Sequence, residues 1–264
     1  MSGYPRSLET GLIKSNPAYG SGVYRRRLRL RAATGRVDVD LEDSNHGFCL
    51  HLLHDGQRVT QVEAEVRRHP FVTCVEAPER LQPLLGMDLQ IDAAALRQRL
   101  PQGANCTHLH DMAMLALAHS GDQPGFVCLY DISVADERDG LTAARIDCDG
   151  EQVHAWQVCS DALAEPLEYA GKPMKRGFYA WASRHYSDMP LEAAVALQRG
   201  YFVAQSRRVA RLPFQDFPAS ADNMPDGTCY SYNHDVVALA LRIEGTVWDL
   251  TDKPELLLQF RQRP

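Results

Sequence analysis

The chain has 264 residues, 45% apolar and 23% charged, which is enough to bury a core without disulfide staples and excludes a disordered tail or a fibre. With 28 lysines and arginines against 34 acidic residues the net charge is −6, so no global basic field is available to hold nucleic acid or anionic lipid. Seven cysteines, no apolar leader after Met1 and no apolar run of bilayer length lead us to expect free thiols in a cytoplasmic protein with neither a membrane nor a nucleic-acid partner.

Turn signals at Asn16-Pro17, Gly20 and Gly22 make residues 1–22 an irregular arm. Residues 23–30 alternate arginine with larger apolar side chains, and after Thr34-Gly35 residues 36–41 alternate valine with aspartate, which predicts a hairpin with one wet face. A second hairpin is expected from 48–53, the turn Asp55-Gly56, and 59–66. The spacing then becomes helical. Residues 76–85 tolerate Pro78 in a first turn and end at Gly86, and 93–100 stop at Pro101. A third helix opens at Cys106-Thr107-His108 and runs to Ala118, apolar almost all round and therefore expected to be buried.

Gly121 with Pro124-Gly125 marks a boundary, dividing the chain into 23–121 and 122–264. Strands are expected at 127–134 and, flanking Asp149-Gly150, at 141–146 and 153–158. Helices follow at 177–185 and 191–203. Residues 213–225, with Phe214, Phe217 and three prolines, read as a loop, and 230–242 as strand or helix. The fold class is α+β: an antiparallel meander with helices on one face, then a second, smaller α+β half forming a pocket or lid.

Phosphate loops, dinucleotide fingerprints, nucleophile elbows and zinc-protease helices are absent from the sequence. The informative cluster is Cys106-Thr107-His108-Leu109-His110-Asp111. A cysteine at a helix mouth has its thiolate stabilised by unpaired N–H groups, so Cys106 is a candidate nucleophile with His108 as base and Asp111 close by. The plainer alternative is a small buried thiol beside a hydrogen-bonded core histidine. Cys74, after Pro70-Phe71-Val72-Thr73, also stands at a strand-to-helix junction, and His46, with Asp43 near it, precedes a strand. His46, Cys74, Cys106 and His108 would form a ligand field suited to a zinc or iron ion.

Cys229, Tyr230, Tyr232 and His234 would line a substrate pocket if they alternate along a strand, or decorate an exposed edge. Arg25, Arg27, Arg29 and Arg31 share one strand face and read as solvated charge. Arg207, Arg208 and Arg211 could grip an anion or simply decorate a loop. Cys49, Cys128, Cys148 and Cys159 read as core thiols, and Trp156, Trp181 and Trp248 as core or pocket walls.

Residues 24–118, with His46, Val62-Glu63-Ala64, Pro70 followed by Cys74, Leu84-Leu85-Gly86 and above all Cys106-Thr107-His108-Leu109, resemble the bacterial family called domain of unknown function 2889. Gly227-Thr228-Cys229-Tyr230-Ser231-Tyr232 resembles a longer subgroup of it. Gly47-Phe48 departs from that family, many members of which carry Asp-Met after the histidine. The element order is also similar to that of the NifU, IscU and SufE scaffold and sulfur-acceptor proteins. That likeness implies ligands at His46 or Asp43, at Cys74 and at Cys106, with His108 as fourth. Three functions are therefore expected in order: a metal-dependent or Cys/His-dependent enzyme of hydrolase or lyase type acting on a small-molecule substrate, a sulfur-transfer or iron–sulfur assembly protein, and a binding protein with a structural zinc site. A homo-oligomer is compatible with each.

Overall fold

A computed structural model describes residues 15–209, 218–222 and 224–261. The first part of the N-terminal arm, and Phe214 and Phe217 of the expected loop, lie outside the described residues.

Eight strands form one antiparallel sheet: β1 (Val23–Ala33), β2 (Arg36–Asp43), β3 (Gly47–His54), β4 (Val59–Arg68), β5 (Val127–Ala135), β6 (Leu141–Cys148), β7 (Glu151–Cys159) and β8 (Ala162–Glu165). Their order is β4-β3-β2-β1-β5-β6-β7-β8. β1 pairs with β5 from Val23↔Ala135 to Arg31↔Val127, so the residues before and after Gly121 share one sheet. Four α-helices accompany it: α1 (Ala93–Arg99), α2 (Thr107–Ala118), α3 (Phe178–His185) and α4 (Asp188–Ala204). α2 packs on β2 and β3, and α4 on β1, β5, β6 and β7. Gly200 permits this close approach, because a Cβ there would stand 2.8 Å from Cγ2 of Ile132.

Alternation decides what each sheet face does. Tyr24, Arg26, Leu28 and Leu30 are buried, and their cross-strand neighbours Asp43, Leu41, Val39, Ile132, Tyr130 and Cys128 lie on the same side, under the helices. The opposite face carries the expected charge as a lattice of ion pairs: Arg27 with Asp131 at 2.6 Å, and Arg29 and Arg31 with Asp40 at 2.8 and 3.3 Å. The C-terminal segment meets this face where the Thr251 carbonyl accepts from Arg25 and the Leu258 N–H donates to Glu42.

Three expectations are corrected and one strand is added. The helix at 76–85 is a 3₁₀ segment, Val72–Leu84, because Pro78 and Pro83 inside it remove N–H donors and clash with an α ladder. Residues 230–242 are neither strand nor helix but a short 3₁₀ turn, Tyr230–Tyr232, followed by turns, with single bridges from Arg242 to Phe71 and from Leu241 to Pro218. β8 was not anticipated, since four residues entered from a tight turn at Ser160 and Asp161, both at positive φ, carry little periodic signal. Of the four cysteines read as core, Cys49 and Cys128 are buried, Cys148 is partly buried and Cys159 is exposed. No helix among the described residues is long and apolar enough to cross a membrane.

Candidate functional site

The β1–β2 register sets Arg26 opposite Asp43, the last residue of β2. Asp43 then organises the turn that follows: Oδ1 accepts from the N–H groups of Asn45 at 2.7 Å and His46 at 2.8 Å, a side-chain-capped turn of the kind that aspartate favours. That turn brings the His46 ring back onto the same carboxylate, with Nδ1 3.1 Å from Oδ1. Arg68 braces the turn from behind, donating to the carbonyls of Ser44 and His46 while its guanidinium stacks 4.0 Å from the Trp248 ring.

From the other side α2 contributes His108, its second residue. Nε2 of His108 lies 3.2 Å from Asp43 Oδ2 and 2.8 Å from Nη2 of Arg26, and the His108 and His46 rings stand 4.0 Å apart. The same Nη2 donates to Asp43 Oδ2 at 3.0 Å, and the Tyr24 hydroxyl donates to that oxygen at 2.7 Å while accepting from Arg26 Nε at 2.9 Å. Tyr24, Arg26 and Asp43 are sealed from solvent; the His46 side chain keeps 15% of its exposure and is the group that reaches the surface.

Burial pushes the Asp43 carboxyl up, but its interaction with His46, the close approach of the His108 ring, the hydrogen bond from His46 and the Arg26 guanidinium together hold it well below the usual carboxylate range. Burial, with His46 and Arg26 beside it, drives His108 down to about 3, so its imidazole is neutral. Arginine can only donate, so the neutral Nε2 of His108 accepts from Arg26, whose guanidinium bridges histidine and carboxylate. An ionised Asp43 can only accept, which makes His46 Nδ1 the donor and turns its Nε2 away from the carboxylate.

Of the residues singled out in the sequence, the structure joins His46 and His108, with Asp43 as their shared partner: one ligand atom from each lies within 4.8 Å of the others. Neither Cys74 nor Cys106 is a member of that group. Cys106 is the N-cap of α2, but burial, followed by the nearby Cys229 and Cys74, pushes its thiol far up, so the thiolate expected from the helix dipole is outweighed by desolvation. Cys74 is buried against the Ser231 hydroxyl at 3.4 Å and its thiol is likewise raised by burial. Asp111 pairs with Arg199 of α4 at 3.3 Å.

The four residues expected to line a pocket part company. Cys229 is partly buried, its thiol pushed up to about 12 by burial and then by Cys74; Tyr230 donates to Glu76 at 2.9 Å; Tyr232 donates to Asp222; and the His234 side chain is 85% exposed. Two cavities, of about 390 Å³ beside Arg80, Arg99 and Asn105 and about 440 Å³ beside Arg25, Arg145 and Gln157, lie elsewhere. Arg26 and Tyr24 were missed by sequence reasoning, although the alternation that exposes Arg25 and Arg27 already turns both toward the core.

Part of this geometry lies in a stretch that is similar to a known sequence family. Residues 28–120 match the model of the family described as protein of unknown function (DUF2889). The DUF2889 stretch holds Asp43, His46, Cys74, Cys106 and His108, whereas Tyr24, Arg26 and Cys229 lie beyond it. No curated protein and no solved structure matches the chain.

Proposed function

We propose that the chain is an enzyme acting on a small organic metabolite by hydrolase- or lyase-type chemistry, in which His46 moves the proton. The observation that carries this reading is a carboxylate-held imidazole at the only partly exposed position of the sealed cluster of Tyr24, Arg26, Asp43, His46 and His108. Asp43 fixes the His46 tautomer and leaves Nε2 to exchange the proton, as an acid–base catalyst requires. Arg26 balances the Asp43 charge, and a neutral His108 adds no repulsion when His46 takes up a proton. Cys106, whose thiol burial keeps protonated, seats the first turn of α2 in this reading and is not the nucleophile.

The grouping of Asp43, His46 and His108 favours one alternative, a zinc or iron ion held by two imidazoles and a carboxylate. The residues fit such an ion poorly as they stand: Arg26 Nη2 occupies the cationic position between His108 and Asp43, and a divalent ion beside it would leave excess buried positive charge. The sulfur-transfer reading needs accessible thiols, and Cys74 and Cys106 are each only 8% exposed. A cytoplasmic setting, in which the seven cysteines persist as thiols, belongs to the same proposal.

The test is turnover on a panel of small esters, amides, thioesters and hydroxy acids by wild type, His46→Gln and Asp43→Asn, with metal analysis of chelator-free protein. Loss of a detected activity by roughly 10²–10⁴-fold in His46→Gln, with the fold intact, is expected. Activity unchanged in that variant, or stoichiometric zinc or iron that disappears in His108→Ala, would overturn it.

A further inference from the structure

Two thiols far from this cluster stand in contact. Cys128 of β5 and Cys148, the last residue of β6, place their sulfurs 3.1 Å apart, and both are free. They are not cross-strand partners in the ladder, where Cys148 faces Tyr130. A backbone clamp brings them together: the Asp149 N–H donates to the Leu129 carbonyl at 2.9 Å, and the Leu129 N–H donates to the Asp149 carboxylate at 2.9 Å. Asp149 and Gly150, both at positive φ, form the hairpin turn that holds this geometry.

Cys128, Cys148 and Asp149 also form a candidate ligand group, so two chemistries compete for the sulfurs. Two thiolates on a tetrahedral zinc, each about 2.3 Å from the metal, stand roughly 3.8 Å apart. The observed 3.1 Å is well inside that separation and needs to shorten by only about 1 Å to reach a disulfide bond. Cys128 is 2% exposed, whereas Cys148 is partly open to solvent, so a reagent reaches Cys148 first and finds a second sulfur waiting behind it.

We propose that Cys128 and Cys148 are a site of reversible oxidation, closing to a disulfide between β5 and β6 with a peroxide as oxidant. The Cys148 sulfur attacks one peroxide oxygen, the O–O bond breaks, and water leaves as the sulfur becomes a sulfenic acid. The Cys128 sulfur then attacks that sulfur, the S–S bond forms, and the hydroxyl departs as water with the proton of Cys128. Two thiols are oxidised and one hydrogen peroxide is reduced to two waters. Burial raises both thiols, which keeps the pair protonated and makes closure slow until peroxide accumulates.

The experiment uses the full chain carrying Cys159→Ser, which removes the exposed thiol. Native protein is treated with hydrogen peroxide, alkylated under denaturing conditions and mapped by peptide mass spectrometry. The expected product is a single cross-link joining the Cys128 and Cys148 peptides, two hydrogens lighter, with loss of two alkylatable thiols and recovery on adding a dithiol reductant. Adding Cys148→Ser should leave Cys128 unoxidised, and adding Cys128→Ser should leave Cys148 as sulfinic or sulfonic acid. Cys148 over-oxidised while Cys128 stays a free thiol in the Cys159→Ser parent, both thiols fully alkylatable after peroxide, or stoichiometric zinc lost in Cys148→Ser would each overturn the proposal.

Discussion

The two ends of α2 each bring a histidine to a carboxylate, and the molecule holds the two in opposite charge states. At the first turn, His108 is sealed between Arg26, His46 and Asp43, and burial together with the adjacent His46 and Arg26 drives it down to about 3. At the last turn His119, half-buried, is raised to about 9: Nε2 contacts Glu192 at 2.9 Å and Nδ1 contacts Asp122 at 2.6 Å, against a smaller opposing effect of burial. The helix dipole acts in the same sense at both ends, disfavouring a cation at the N-terminus and favouring one at the C-terminus. A carboxylate beside a histidine therefore does not settle its charge. What decides is whether the carboxylate is already neutralised, as Asp43 is by Arg26, or is free to pair, as Glu192 is with His119 while also accepting from Tyr130.

The strongest way to break this comparison is to remove the carboxylate at the sealed end. Asp43→Asn leaves the Arg26 guanidinium buried without its counter-charge, and a loss of about 3–5 kcal/mol is expected in urea unfolding. Pairing it with Arg26→Met should recover much of that loss, because removing both charges removes the desolvation cost. Full destabilisation persisting in the double variant would mean that the turn at Asn45 and His46, rather than the charge, depends on Asp43.

The pH dependence separates the two ends by sign. His119 has a folded pKa of about 9, above the ~6.5 of an unfolded histidine, so its stabilisation is complete below ~6.5 and disappears as pH rises through 9. His108 behaves in the reverse way. With its folded value near 3, stability is complete above ~6.5 and declines as pH falls toward 3, because only the unfolded chain takes up the proton. Glu192→Gln should flatten the alkaline limb by on the order of 2 kcal/mol between about pH 7 and 10 and leave the acid limb unchanged. An unchanged alkaline limb would show that Glu192 does not hold the His119 charge.

Much of this arrangement was legible in the sequence, for identifiable reasons. The first four strands and α2 are visible because a sheet with one wet face prints a period of two and a buried helix prints an apolar block. The sequence points to both His46 and His108 but groups them with Cys74 and Cys106, because residues at helix mouths look alike in a sequence. Whether such a residue faces a charge or an apolar wall depends on register: Arg26 lies opposite Asp43 only because of how β1 pairs with β2. The His119 end escaped notice because Glu192 lies 73 positions away, on a helix whose packing no local pattern announces.

The smallest change sharpens the comparison most finely. Asp122 is the other carboxylate on His119, three positions along the chain and with a third of its side chain exposed, so solvent screens the pair. Asp122→Asn should lower the His119 titration midpoint, followed by its ring proton in NMR, by less than Glu192→Gln does, and should cost no more than about 1 kcal/mol at neutral pH. The ordering matters more than the amounts. Glu192 comes from α4 and binds His119 only when α4 is docked, so its part in the histidine's charge reports tertiary packing, whereas Asp122 belongs to the local turn and would retain its hold on a frayed helix end. If Asp122→Asn proved the larger perturbation, the charge on His119 would be a local property of the chain, and the contrast with His108, which is built by tertiary packing, would narrow to a difference in burial.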